Sequence, residues 1–152
     1  MKTYLERSTL LLIIFLTSYS LAEDHAPTDE RAAVLTALHN QQEAWNAGDL
    51  NKFMQGYWKS DSLVFVGRNG PKFGFNTTRL NYQKSYPNKE MMGILNFTVL
   101  YLKQWDAKTI QIIGKYALKR VNDHPAGFFT LLYRKINGEW KIVSDHSSAE
   151  SE

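Results

Sequence analysis

The dipeptide Asn137-Gly138 stands between two apolar runs, Phe128 to Ile136 and Trp140 to His146. Asn-Gly accepts the left-handed backbone that a two-residue hairpin turn requires, so the flanking runs are expected to pair as antiparallel strands. The segment before them extends the same sheet. Gly93 to Trp105 nearly alternates, with Leu95, Phe97, Val99 and Tyr101 on one face, and Thr109 to Val121 follows, rich in Ile and Tyr. Asp123-His124-Pro125-Ala126-Gly127 is the turn that leads into Phe128. Four antiparallel strands therefore end the chain.

Upstream of Gly93 the period is mostly helical. Thr28 or Asp29 offers an N-cap, with Glu30 in the first turn. Val34, Leu38 and Trp45 lie along one side, with Leu35 and Ala37 beside them. Gly48 stops this helix, and Asp49 caps a second one carrying Leu50, Phe53, Met54 and Tyr57. Asp61 and Ser62 break the pattern, Leu63 to Val66 reads as a short strand, and Gly67 to Gly74 as a turn-rich loop. Asn76 to Tyr86 is a third helix, stopped by Pro87. The order implies an α+β fold, three helices gathered on one face of a curved sheet. At 152 residues the chain has room for one domain, and with 22% charged and 43% apolar residues its composition is not that of a disordered chain.

Residues 1–22 read differently. Lys2 and Arg7 form a basic front, Leu10 to Leu16 is an aliphatic run, and Ser20-Leu21-Ala22 presents small residues where a signal peptidase cuts. The run is far short of the roughly 20 residues that span a bilayer. A signal peptide cleaved after Ala22 is expected, then a polar leader over residues 23–27, a domain over 28–149, and a periplasmic or secreted product with no membrane segment. The chain has no cysteine, which excludes disulfides, thiol nucleophiles and thiolate metal sites. Net charge is +3, and Lys59, Lys72, Lys84, Lys89, Lys103, Lys108, Lys115 and Lys119 are spread among acids, so no nucleic-acid partner is expected. Asn76-Thr77-Thr78 and Asn96-Phe97-Thr98 match a glycosylation sequon, read as chance matches in a bacterial protein.

The element order, the phrase Ala47-Gly48-Asp49 and the closing run from Gly127 through Trp140 to His146-Ser147-Ser148 resemble the NTF2-like superfamily. More narrowly they resemble the SnoaL-like and DUF4440 proteins and the association domain of calmodulin-dependent kinase II. The resemblance implies a cone, its curved mixed or antiparallel sheet wrapped around the long first helix with a pocket at the open end. It also implies a homodimer through the outer sheet face. Members include isomerases, dehydratases and cyclases, so fold alone decides little about chemistry.

The ketosteroid isomerase residues of that superfamily are missing here. Aligned on Asp61 and the Asn137-Gly138 turn, the base position falls on Val66 and the second aspartate on Leu132; the tyrosine position, counted back from Gly48-Asp49, falls on Gln41. A dehydratase-like site would want converging histidines, and the supply is His25, His39, His124 and His146. His146 adjoins Asp145, but strand neighbours point to opposite faces, so the two form no simple acid–base pair. No HxH or HExxH is present; a metal would need Asp61, Asp145 and His146 to converge, and neither metal nor cofactor is expected.

Candidate pocket residues are Trp45, Tyr57, Trp58, Asp61, Arg79, Tyr82, Tyr86, Tyr116, Thr130 and His146, with Asp145 as candidate catalytic acid or base. Arg79, Tyr82 and Tyr86 share a face of the third helix, where the arginine would suit a carboxylate or phenolate; the competing reading has Arg79 solvated and the tyrosines only packing. A simple Asn137-Gly138 hairpin pairs Thr130 with Asp145 and Leu132 with Val143, and Family resemblance puts that face toward the pocket; like charges at Arg134 and Lys141 leave room for a bulge. Asp145 in solvent at a strand end is the competing reading. Three functions stay open: a small-molecule-binding domain, an isomerase, dehydratase or cyclase acting on a small carbonyl or aromatic compound, and a non-catalytic dimerisation or interaction module.

Overall fold

A computed structural model describes residues 29–150 of the chain. The expected signal peptide (1–22), the leader (23–27), His25 and a helix start at Thr28 lie outside the described residues. Helix α1 (Glu30–Asn46) is capped by Asp29, whose carboxylate accepts from Arg31 N and Ala32 N. Helix α2 (Leu50–Met54) is capped by Asp49. Strands β1 (Val64–Gly67) and β2 (Gly70–Phe73) form a hairpin, and α3 (Phe75–Ser85) and α4 (Lys89–Met92) follow it. Strands β3 (Ile94–Asp106), β4 (Thr109–Lys119), β5 (Ala126–Ile136) and β6 (Glu139–Ala149) complete the chain.

The six strands make one sheet in the order β2-β1-β6-β5-β4-β3. Every pairing is antiparallel except β1 with β6, which is parallel. Val34 and Leu38 of α1 and Phe53 and Met54 of α2 pack with Ile110, Ile112, Leu131, Tyr133 and Ile142 of the sheet in one buried core. Removing such side chains from water stabilises the fold by about 1.5–3 kcal/mol each. Among the described residues no helix is long and apolar enough to cross a membrane.

Three expectations are corrected. The helices number four among the described residues: α4 is a single turn after Pro87, with Asn88 accepting from Met91 N and Gly93 ending it at a positive φ. The segment from Gly67 to Gly74 is no loop but the β1–β2 hairpin, in which Pro71 is tolerated because β2 is an edge strand. The sheet is also not the strongly curved wrap around α1 that the resemblance implies. It is open, with β2 and β3 as its two edges. Instead of being encircled, α1 caps an edge. Asn46 accepts from Leu95 N at 2.7 Å and donates to Leu95 O at 2.9 Å, and Gln42 accepts from Phe97 N at 2.7 Å. These side chains satisfy backbone groups of β3 that a further strand would otherwise pair.

The other end of α1 is tied to the β5–β6 hairpin. Glu30 accepts from Lys135 Nζ at 2.6 Å and from Trp140 Nε1 at 2.8 Å. Its negative charge also suits the helix N-terminus. With both ends held, the inner side of α1 faces the sheet at a fixed spacing, and a hollow remains between them.

Candidate functional site

The hollow is a cavity of about 390 Å³, within the range of small-molecule sites. Rings form much of its wall: Trp45 from α1, Phe53 from α2, Phe65 from β1, Tyr82 from α3 and Tyr86 just after it, and Phe97, Tyr116 and Phe129 from the sheet. Trp45 meets Phe53 and Tyr86 edge to face at 5.0 and 4.7 Å between centroids. Its indole N–H is satisfied by Met92 O at 2.9 Å, so the ring is fixed.

Asp145 supplies the charge inside. It is 3% exposed and borders the cavity. Tyr57 donates its hydroxyl to Oδ2 at 2.7 Å, and Ser147 donates to Oδ1 at 2.9 Å. The Tyr82 hydroxyl lies 3.1 Å from that of Tyr57. With Tyr57 committed to the carboxylate, Tyr82 is the donor in that contact, and its remaining lone pairs are free to accept. Burial pushes Asp145 up from 3.8 to about 6, against the opposing pull of the Tyr57 and Ser147 hydrogen bonds and of nearby His146. Burial, followed by the charge of Asp145, raises the Tyr57 and Tyr82 hydroxyls well above the usual value. Both tyrosines therefore stay protonated at neutral pH. Tyr133 is raised by the same two causes and donates to Gln41 Oε1 at 3.4 Å.

A bulge decides which way Asp145 points. The hairpin begins as expected, Ile136 with Glu139 and Arg134 with Lys141, but the register shifts between Tyr133 and Leu132. Tyr133 faces Ile142, whereas Leu132 faces Ser144, so Val143 is the extra residue. The buried set on β6 consequently switches from Trp140 and Ile142 to Asp145. The pairing Thr130 with Asp145 is corrected: Asp145 lies opposite Leu131, and Thr130 lies opposite His146.

Of the residues singled out in the sequence, Trp45, Tyr57, Tyr82, Tyr86, Tyr116 and Asp145 border the cavity together. The others do not. Thr130 and exposed His146 are on the opposite sheet face. Arg79 donates to Gln83 Oε1 at 3.4 Å on the outside of α3. Asp61 is exposed and Trp58 half-buried, its backbone N–H on Ile142 O. Among the described residues no three histidine, aspartate or glutamate side chains converge to offer a metal site. Sequence reasoning missed Arg68, Gln41 and Ser147. The Ser147 signal was available, since it follows Asp145 by two residues and so shares its face. Arg68 was hidden by reading its hairpin as a loop.

No protein-family model matches the chain, and no curated protein matches it. Solved structures do. The fold is similar to a ketosteroid isomerase-like protein from Erwinia carotovora atroseptica SCRI1043, at 17% identity and TM-score 0.68, over 82% of this chain and 99% of that one. It is similar as well to a domain of unknown function with a cystatin-like fold from Nostoc punctiforme PCC 73102, at 13% identity and TM-score 0.69, over 82% and 80% of the two chains. An NTF-2 like protein of unknown function from Shewanella oneidensis MR-1 is similar in sequence too, with 39% identity and TM-score 0.76 over 78% of this chain and 98% of that one. Identity at that level along nearly the whole of the relative, together with the shared sheet and helix order, shows common descent rather than shared architecture alone: the chain belongs to the NTF2-like superfamily.

Proposed function

We propose that the chain is a small-molecule-binding domain of SnoaL-like or DUF4440 type. Its ligand is a small organic compound whose apolar body lies among the rings and whose polar group meets Asp145 and Tyr82. The observation that carries this reading is a carboxylate 3% exposed at the wall of an aromatic cavity. Burying an ionisable group weakens a fold unless it is paired, and such groups cluster at sites that use them. The test is thermal stabilisation by a neutral phenol such as 4-propylphenol. The wild-type chain is expected to be stabilised, and Asp145→Leu, similar in size but unable to accept a hydrogen bond, is expected to lose the effect. Equal stabilisation of both would overturn the reading.

A second reading is favoured by the Asp145 value near 6. A carboxyl poised there acts as acid or base near neutral pH, which suits an isomerase, dehydratase or cyclase acting on a small carbonyl or aromatic compound. In the protonated state Asp145 donates to Tyr57, Tyr57 to Tyr82, and Tyr82 into the cavity, so the chain of hydroxyls reverses. Exchange of α-protons of a cyclic ketone with deuterium, followed by NMR, is expected to be accelerated by the wild type and not by Asp145→Asn. Equal rates would leave binding alone.

We further propose an exported protein, periplasmic or secreted, that pairs as a homodimer through the outer sheet face. Support for export is the sequence of residues 1–22. Support for pairing is the exposure of Tyr101, Trp105 and Phe128: the register partners Ile113 and Lys115 put Tyr101 and Phe128 on the face away from the helices, and Trp105 bonds there to Gln111.

A further inference from the structure

We infer that the ligand is bipolar: a flat aromatic body with a hydroxyl at its inner end and a carboxylate at its outer end, the carboxylate held by Arg68. This rests on the binding reading above. The cavity is graded. Leu38, Gln41, Phe53, Leu131 and Asp145 are buried, whereas Arg68, Asn81, Ser85 and Ala149 are exposed and form the mouth.

Arg68 sits in the turn between β1 and β2 and forms no ion pair or hydrogen bond among the described residues. The acid beside the mouth is already engaged, since Glu150 takes Lys115 at 2.8 Å. Arg68 thus leaves a planar set of donors uncompensated next to Tyr116, whose hydroxyl feels its charge. A guanidinium matches a carboxylate with two parallel hydrogen bonds.

The backbone gives a scale for the ligand. Phe65 is the register partner of Asp145, and Arg68 follows three positions later, one step past the end of β1, about 10 Å along the backbone at the rise of a strand; the long arginine side chain can meet a carboxylate near that distance. The two charges also set the orientation. The Asp145 carboxylate repels an anion and accepts a hydroxyl, while Arg68 does the reverse. A para-hydroxycinnamate has this length, flatness and polarity. A fatty acid has the anion but lacks the inner donor, and a sterol lacks the anion.

Calorimetric titration with 4-hydroxycinnamate and with its methyl ester, on wild type and on Arg68→Gln, tests the inference. Arg68 is exposed in a turn, so the variant keeps the fold. The acid is expected to bind wild type at least about tenfold more tightly than the ester, as a charge-assisted hydrogen bond would give. Arg68→Gln is expected to abolish that preference, so that acid and ester bind the variant alike. If the ester binds wild type as well as the acid does, the bipolar ligand is wrong while the binding reading stands. If neither binds and 4-propylphenol also fails, both are wrong.

Discussion

Asp145 is held inside against its own solvation, and that has a measurable consequence. Well below its ordinary value of 3.8 the carboxyl is protonated whether folded or unfolded. Between there and about 6 the folded chain keeps a proton that the unfolded chain has lost, so stability falls as pH rises and levels off above the folded value. The difference is on the order of 3 kcal/mol. Asp145→Asn removes this contribution: urea unfolding is expected to show the variant gaining on wild type between pH 4 and pH 7, and parallel profiles would contradict it. Tyr57→Phe acts in the other direction. It takes the donor from Oδ2 and leaves a buried acceptor short, which costs about 1–3 kcal/mol, and more at pH 7 than at pH 4 because the ionised form loses most. Arg79→Ala is expected to leave ligand binding unchanged, since Arg79 contacts Gln83 rather than the cavity.

At the scale of elements, the hydrogen bonds from Asn46 to both backbone groups of Leu95 replace a missing strand neighbour. Asn46→Ala is expected to destabilise the fold by about 2 kcal/mol. Amide exchange should rise at Leu95 while Phe97, held by Gln42, keeps its protection; uniform loss along β3 would show that the side chain does not cap this edge. Which parts of this were legible in the sequence follows from how local each signal is. Caps and turns are written in adjacent residues, so Asp29, Asp49 and Asn137-Gly138 were readable. Bulges depend on the partner strand; the like charges at Arg134 and Lys141 hinted at one in the last hairpin, but those two residues do pair and the bulge falls beyond them. The one at Val143 reassigns Asp145, and the shift between Val99 and Tyr101 sends Tyr101 outward although Leu95 and Phe97 face in. The expectation that all four residues share a face failed for that reason. Tyr82 lines the cavity from the last turn of α3 and Tyr86 from its C-cap, whereas Arg79, a turn earlier, bonds Gln83 instead.

The whole molecule has an inner apolar side lining a cavity and an outer sheet face that exposes Tyr101, Trp105 and Phe128. Trp105 is 61% exposed there, its indole donating to Gln111 Oε1 at 3.3 Å. If a second copy covers this face, sedimentation is expected to give a dimer, and Trp105→Glu a monomer that still binds phenols; a monomeric wild type would remove the pairing proposal without touching the cavity.

The direct test of the cavity itself is an NMR titration with 4-propylphenol, following the indole N–H signals of the chain's 4 tryptophans. Trp45, at the cavity wall, should shift and saturate, while Trp105, on the outer face, should stay in place. A Trp45 signal that stands still, or a Trp105 signal that moves as far, would contradict a binding site between the helices and the sheet.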